Sequence, residues 1–225
     1  MIVEAGLELV PPAIQDHPSV KNYAKKIGRR PDEVLLQTSY HFRAMTERKL
    51  PLWWKRGRPD IVHISLLTAL STPLFMEGKL NVYISTLQNK LILIDNNLRC
   101  PKSYSRFEGV IMNLFKDEVI RDPSNKTNLL ELKDDITFEE AVREVVRPDS
   151  TIGFSIRGSP SVLNKVIIEN VKEAKHYCFV VGGFQRGHFT DDTIRVLDKI
   201  YSISHYGLES HVVIARLLYE CEKLN

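Results

Sequence analysis

Residues 178–189 read CFVVGGFQRGHF. The first four are apolar and rich in strand formers, the composition of a strand buried on both faces. Gly182 to Gly187 then form a tight loop directly at the strand's carboxyl end, where open α/β sheets bind their ligands. Glycine there lets a ligand approach the backbone closely. Gly182 and Gly187 have the separation of a phosphate-binding P-loop, but His188 and Phe189 stand where that motif needs Lys and Ser or Thr to hold phosphate and magnesium. A nucleoside-triphosphatase reading fails on that chemistry. A plain tight turn explains the glycines equally well, so the neighbouring segments must decide.

Working outward, strands and helices alternate. Thr137 to Val146 opens with a capping-box pattern, Thr137 with Glu140. Ile152–Ile156 reads as a strand followed by a turn over Arg157–Pro160, and Val162–Val171 as a helix. After the glycine loop come a helix over Thr190–Leu197, a strand over Lys199–Ile203 and an amphipathic helix over Glu209–Leu224. This order predicts an α/β sheet with parallel pairs. Three post-strand loops, Phe154–Pro160, Gly182–Gly187 and Ser202–Leu208, are placed to converge on one pocket; ordinary connections in a short sheet protein are the alternative.

The first half is less regular. Gly6–Val10 reads as a strand stopped by Pro11 and Pro12, Pro18–Ile27 as a basic helix, and Glu33–Leu36 as a short strand leading into the polar run Gln37–Phe42. Ile61–Leu70 fits either a helix or a buried strand. Asn81–Ser85 and Leu91–Ile94 suit a hairpin across Thr86–Lys90, and Phe107–Phe115 has helical spacing.

With 225 residues and 43% hydrophobic content, the chain is predicted to bury one core as a single domain. The net charge is only +3, but its distribution is uneven. Arg43, Arg48, Lys49, Lys55, Arg56 and Arg58 face only Glu47 between positions 41 and 58, so positive potential is expected there. Arg99, Lys102 and Arg106 form a second cluster with no acid inside it; on a helical turn they would share a face suited to phosphate. Residues 131–144 are acidic, as in a solvated helix flank. Arg58 and Asp60, two apart, would face the same side if strand-like; a structural ion pair is the plainer reading.

Cys100, Cys178 and Cys221 are far apart and lack metal-ligand spacing, predicting reduced thiols and no zinc. His41, His63, His176, His188, His205 and His211 form no compact ligand set. Trp53 and Trp54 beside Lys55 and Arg56 could stack bases, though core packing is their commoner use. The opening MIVEAGLELV has no basic leader, and no apolar run reaches the roughly 20 residues of a membrane span. A soluble, cytoplasmic protein is expected.

Seven stretches together resemble the ribosome-biogenesis pseudouridine N1-methyltransferases of archaea and eukaryotes, within the SPOUT superfamily. They are LELVP (7–11), SYHFRAM (39–45), RPDIVH (58–63), RCPKSYSRFEG (99–109), FSIRGSP (154–160), VVGGFQRGHF (180–189) and SISHYGLESHVVIARLLYE (202–220). They run in family order across nearly the whole chain. The resemblance implies a SPOUT fold over 1–225, with a mostly parallel sheet, an added β-rich extension within about 37–106, a C-terminal trefoil knot and a homodimer. Knots are rare enough that nothing in the local pattern would suggest one.

The resemblance further implies S-adenosyl-L-methionine as cofactor, held mainly by backbone around Ser155, Gly182, Gly183, Gly187, Ile203, Ser204 and Leu208, with no metal. Arg58 and Asp60 match the family's RPD element, with Asp60 as proton acceptor or as a brace for Arg58, and with Arg58 orienting Asp60 or binding the RNA at a phosphate or base oxygen. Arg99, Lys102 and Arg106 match its RNA-binding stretch, and Lys102 stands where relatives often carry arginine. His205, Gly207 and Glu209 depart from an NYPLS-like pattern. The implied partners are small-subunit ribosomal RNA and small-subunit ribosomal proteins. A non-catalytic RNA-binding assembly factor is the alternative from another class, and a related enzyme acting on transfer RNA or another base is a third.

Overall fold

Strand β7 (Tyr177–Gly182) sends Phe179 and Val181 to one face of a sheet and Cys178 and Val180 to the other, with apolar clusters on both sides. Burial on both faces explains why its sequence is apolar throughout instead of alternating. The computed structural model describes residues 1–173 and 176–224. In it, β7 lies between β1 (Ile2–Ala5) and β6 (Ser150–Pro160), with β8 (Lys199–Ser202) beyond β6. On the far side of β1 come β2 (Tyr83–Thr86), β3 (Leu91–Ile94), β5 (Asn128–Lys133) and β4 (Val119–Arg121), giving the order β4-β5-β3-β2-β1-β7-β6-β8. The β2–β1–β7–β6–β8 half is parallel and the β2–β3–β5–β4 half antiparallel. The parallel half places the carboxyl ends of β6, β7 and β8 together.

Helices cover both faces, among them α4 (Pro73–Met76), α7 (Leu163–Glu173) and α8 (Asp191–Val196). The larger cluster joins the sheet to α3 (Pro59–Leu70), α5 (Tyr104–Asp117) and α9 (Ser210–Glu222) through residues such as Val62, Leu66, Phe107, Ile111, Ile214 and Leu217. A separate cluster, with Val20, Tyr23, Ala44 and Met45, ties α1 (Pro18–Lys26) to α2 (Thr38–Glu47). Full burial of such a side chain stabilises by about 1.5–3 kcal/mol, so α1 and α2 form a small body of their own beside the sheet.

The α/β class and the β2–β3 hairpin follow the sequence reading. Thr137 caps α6 (Phe138–Glu140) reciprocally with Glu140 before a π-helical turn over Ala141–Val146. Three local expectations need correction, and one left open is decided. The first strand is Ile2–Ala5, not Gly6–Val10; beyond Ala5 the backbone partners are loops, and Leu9 makes only an isolated bridge to Leu35. Pro31–Glu33 is a 3₁₀ turn, which leaves Leu35 alone of the expected Glu33–Leu36 strand in a bridge. Ile61–Leu70 is helical, with Pro59 in the first turn, where its missing N–H costs nothing. It hid its period because Ile61, Val62, His63, Ser65, Leu66, Ala69 and Leu70 are all buried. Lastly, β6 continues through the expected turn, because Phe154 and Ser159 both pair with Tyr201 and the residues between them bulge out.

Candidate active site

That bulge, the glycine loop after β7 and the segment after β8 surround a cavity of about 260 Å³ at the strand ends. Ser155, Gly182, Gly187, Ile203, Ser204 and Leu208 lie on its wall. Gly183 does not: its N–H donates to the Val3 carbonyl at 2.7 Å and its carbonyl accepts from the Gly6 N–H at 3.1 Å, so it anchors the loop to β1 from behind. Gly187 has φ +99°, a conformation side-chain-bearing residues rarely adopt.

The wall also holds residues the sequence reading did not single out, among them Phe184, Gln185, Arg186, Tyr206 and Ser210. Ser210 opens α9 and donates from Oγ to the Gly182 carbonyl at 2.5 Å, joining two of the three loops. Its place at the start of an amphipathic helix was the signal available. Partial burial, with Arg157 and Lys55 nearby, holds the His188 imidazole below its usual range.

A second cavity, of about 450 Å³, is lined by Gln37–Tyr40, Gly57–Asp60, Tyr104 and Gln185. Gln185 therefore belongs to both walls. Arg58 precedes α3 and Asp60 sits in its first turn, where the helix dipole favours a carboxylate. The two are paired, though not as neighbours on one side of a strand. Arg58 Nε donates to Asp60 Oδ1 at 2.8 Å and Nη2 to Oδ2 at 2.7 Å, a planar two-bond grip. Asp60, with Glu209 farther off, raises the Arg58 guanidinium above its ordinary value.

Beneath this cavity, Tyr104 donates to Gln37 Oε1 at 2.9 Å, and Gln37 Nε2 donates to Glu108 Oε1 at 2.6 Å, which also accepts from Tyr23 at 3.0 Å. Desolvation, then Glu108 and Asp60, push the Tyr104 hydroxyl far up, so it stays protonated and a donor. Gln37 is buried, and only its position in the polar run 37–42 hinted at it.

Arg99 and Lys102 precede α5, and only Arg106 lies on it, so the three do not share a helical face as expected. All three are exposed, and among the described residues none forms an ion pair. The first basic stretch is different: Arg43 meets Glu47, Arg48 meets Asp16, Lys55 meets Glu4, Arg56 meets Glu8 and Arg58 meets Asp60. The positive potential expected there is largely neutralised, because three of those acids lie at positions 4, 8 and 16, far away in sequence. Of the acidic residues after 130, Glu131 lies on β5 and Asp134 and Asp135 in the bend after it, while Glu139, Glu140 and Glu144 are exposed on the helical segment as expected. Trp53 packs against the α1–α2 cluster and Trp54 is 40% exposed. His63 bonds the Pro101 carbonyl at 2.7 Å and stacks on Phe107, a structural use.

The model of a protein family described as EMG1/NEP1 methyltransferase matches residues 1–222. The chain belongs to the EMG1/NEP1 methyltransferase family. A small-subunit ribosomal RNA methyltransferase Nep1 of Aeropyrum pernix is 34% identical over 225 residues, covering 100% of this chain and 96% of the relative. The one from Thermococcus sibiricus is 37% identical over 192 residues, covering 84% and 82%. Among solved structures, Archaeoglobus fulgidus Nep1 bound to S-adenosylhomocysteine superposes with a TM-score of 0.85 at 32% identity, covering 99% of this chain and 96% of that one. The chain thus has the fold of an EMG1/NEP1 methyltransferase. No helix among the described residues is long and apolar enough to cross a membrane.

Proposed function

We propose that this chain methylates N1 of a pseudouridine in small-subunit ribosomal RNA, with S-adenosyl-L-methionine as methyl donor. The observation that carries the reading is the pair of cavities sharing Gln185, one made of post-strand loops and the other holding the Arg58–Asp60 grip. The family and the ligand of the Archaeoglobus relative support it.

The first cavity suits that cofactor. Its wall draws on the three loops and includes Ser155, Ser204 and Ser210, the aromatic residues Phe184 and Tyr206, and Glu209 alongside Arg186. A sulfonium is cationic, so carbonyl dipoles and a carboxylate favour it, while the aromatic surface suits an adenine ring. Ser155, Gly182, Gly187, Ile203, Ser204 and Leu208 would hold it from the wall, with Gly183 fixing the loop from behind. When bound it would supply an electrophilic methyl group and be left as neutral S-adenosylhomocysteine.

The second cavity then receives the target base, out of its stack. The N1 proton of pseudouridine must leave as the N–CH₃ bond forms, and Asp60 takes it. Arg58 fixes the carboxylate so that one lone pair of each oxygen stays available. Arg99, Lys102 and Arg106 hold the flanking phosphates. Positioned proton acceptors are worth about 10²- to 10⁴-fold in rate. Asp60→Asn is therefore expected to lower single-turnover methylation by that order on a pseudouridine oligonucleotide, and a uridine counterpart should not react. Full activity of Asp60→Asn would remove the base role. The two-bond grip favours one second reading, in which Asp60 only braces Arg58; that variant would then lose RNA affinity and stability while the methylation step itself kept its rate.

The resemblance's remaining implications belong to the same proposal. They are one methyltransferase domain over 1–225 with its extension within about 37–106, a C-terminal knot, a homodimer, and small-subunit ribosomal proteins as further partners in the cytoplasm. The dimer is supported by Ile64 on α3 and Tyr219 on α9, 43% and 60% exposed on helices that pack against each other.

A further inference from the structure

Glu4 is a strand residue with φ +50°, in the left-handed region that side-chain-bearing residues avoid. It sits where β1 and β2 slip register, since Ile2 faces Ile84 but Ala5 faces Thr86. A bulge of this kind re-aims a side chain, and left-handed strain of about 1–3 kcal/mol persists only where the surroundings enforce it. Here the Glu4 carboxylate turns to the far end of the glycine loop. Oε1 accepts from the Thr190 N–H at 2.7 Å and from its hydroxyl at 3.0 Å, and Oε2 accepts from Lys55 Nζ.

Lys55 is the partner that makes this arrangement more than a local oddity. Its side chain and that of Glu4 are 4% and 7% exposed. The ammonium also donates to the His188 carbonyl and lies 4.3 Å from the centroid of the Phe184 ring. A Cβ on Gly187 would meet Lys55 Cε at 3.3 Å. The pair therefore holds the loop at Phe184, His188 and Thr190, and Phe184 and His188 both stand on the wall of the first cavity. Lys55 is also three residues from Arg58. Gly6 accepts the Arg58 N–H at 3.0 Å and packs so closely that any Cβ there would run into the Lys55 carbonyl.

A buried ion pair is a poor source of stability, because desolvation offsets most of its attraction. A strained backbone adds a further cost. We propose that Glu4 and Lys55 are positioning residues: a buried clamp that sets the 184–190 loop in its ligand-binding shape and joins it to the segment carrying Arg58. The pair touches neither reactant. The consequence for the cofactor rests on the methyl-donor reading above, whereas the consequence for the loop does not.

The test uses the full chain with Glu4→Gln and Lys55→Met, singly and combined. Either single change leaves the other charge buried alone and is expected to lower the melting temperature. The combined change removes both charges and is expected to recover most of it. Two readouts separate positioning from plain stability. Trypsin cleavage after the exposed Arg186, without any ligand, is expected to run about tenfold faster in the double variant than in the unaltered chain. S-adenosylhomocysteine binding, by calorimetry, is expected to weaken about tenfold in that variant despite its recovered melting temperature. Unchanged cleavage at Arg186 overturns the clamp. Faster cleavage with unchanged affinity overturns its role at the cofactor cavity. If the unaltered chain itself does not bind S-adenosylhomocysteine, the methyl-donor reading falls, and cleavage at Arg186 still decides the clamp.

Discussion

The two basic stretches, 43–58 and 99–106, look alike in sequence and are used in opposite ways. In the first, Lys55 and Arg56 are drawn into the protein by Glu4 and Glu8, and Arg43, Arg48 and Arg58 each have an acid. In the second, Arg99, Lys102 and Arg106 are exposed, without an ion pair among the described residues. A charge count along the chain cannot tell these cases apart, because three of the five acids that pair with the first stretch, Glu4, Glu8 and Asp16, come from elsewhere in the sequence. The first stretch is tied up in contacts within the molecule; the second remains available to a polyanion.

The largest test of that contrast is Arg56→Ala. Arg56 grips Glu8 through Nε and Nη2, and burial already pushes the Glu8 carboxyl up against the pull of that guanidinium. Removing one partner of a buried pair costs about 3–5 kcal/mol, which urea unfolding would show. Changing both residues to leucine should recover much of it. Arg106→Ala, by contrast, should leave the urea midpoint where it is.

A second effect comes from the same region. His41 is buried, accepts the Gln37 N–H on Nδ1 at 3.0 Å and leaves Nε2 without a partner. Burial lowers its pKa to about 4 from the usual 6.5. The unfolded chain binds a proton at His41 that the folded chain refuses, so stability is fully present above about pH 6.5 and falls as pH drops toward 4. The loss is roughly 3 kcal/mol at most. A His41→Phe variant whose acid limb matched the unaltered chain would show that another group carries the loss.

How much of this was legible in the sequence depended on whether the signal was local. The CFVV run, the glycine loop and the Thr137–Glu140 cap were readable because strand burial, loop geometry and capping act within a few residues. Arg58 and Asp60 were readable as a pair for the same reason, although the strand geometry imagined for them was wrong. Glu4, Gln37 and Tyr104 were not readable. Each acquires its role from partners dozens of residues away, and a glutamate inside an apolar strand gives no sign of the lysine that will bury it. The resemblance implies Gly183 among the cofactor-holding residues, whereas its two backbone bonds to the β1 segment put it behind the cavity wall.

For the second stretch, the sharper tests are on RNA. Arg106→Ala is expected to weaken binding of a pseudouridine-containing oligonucleotide by about tenfold and to reduce the slope of log K against log salt by about 1. Arg43→Ala, in the neutralised stretch, should change neither. Equal effects at the two positions would end the distinction between the stretches.

The smallest effect expected is at Lys102. Its ammonium is a compact point charge, whereas an arginine offers a planar fork that can hold two phosphate oxygens at once. Lys102→Arg keeps the charge, so the salt slope should stay as it is, while affinity rises by a few-fold through the second hydrogen bond. That separation is the point of the variant, because counterion release counts charges and not geometry. If the slope steepened, the lysine would not be contacting phosphate in the unaltered chain. If neither slope nor affinity moved, Lys102 would lie outside the RNA path, and the available surface would narrow to Arg99 and Arg106.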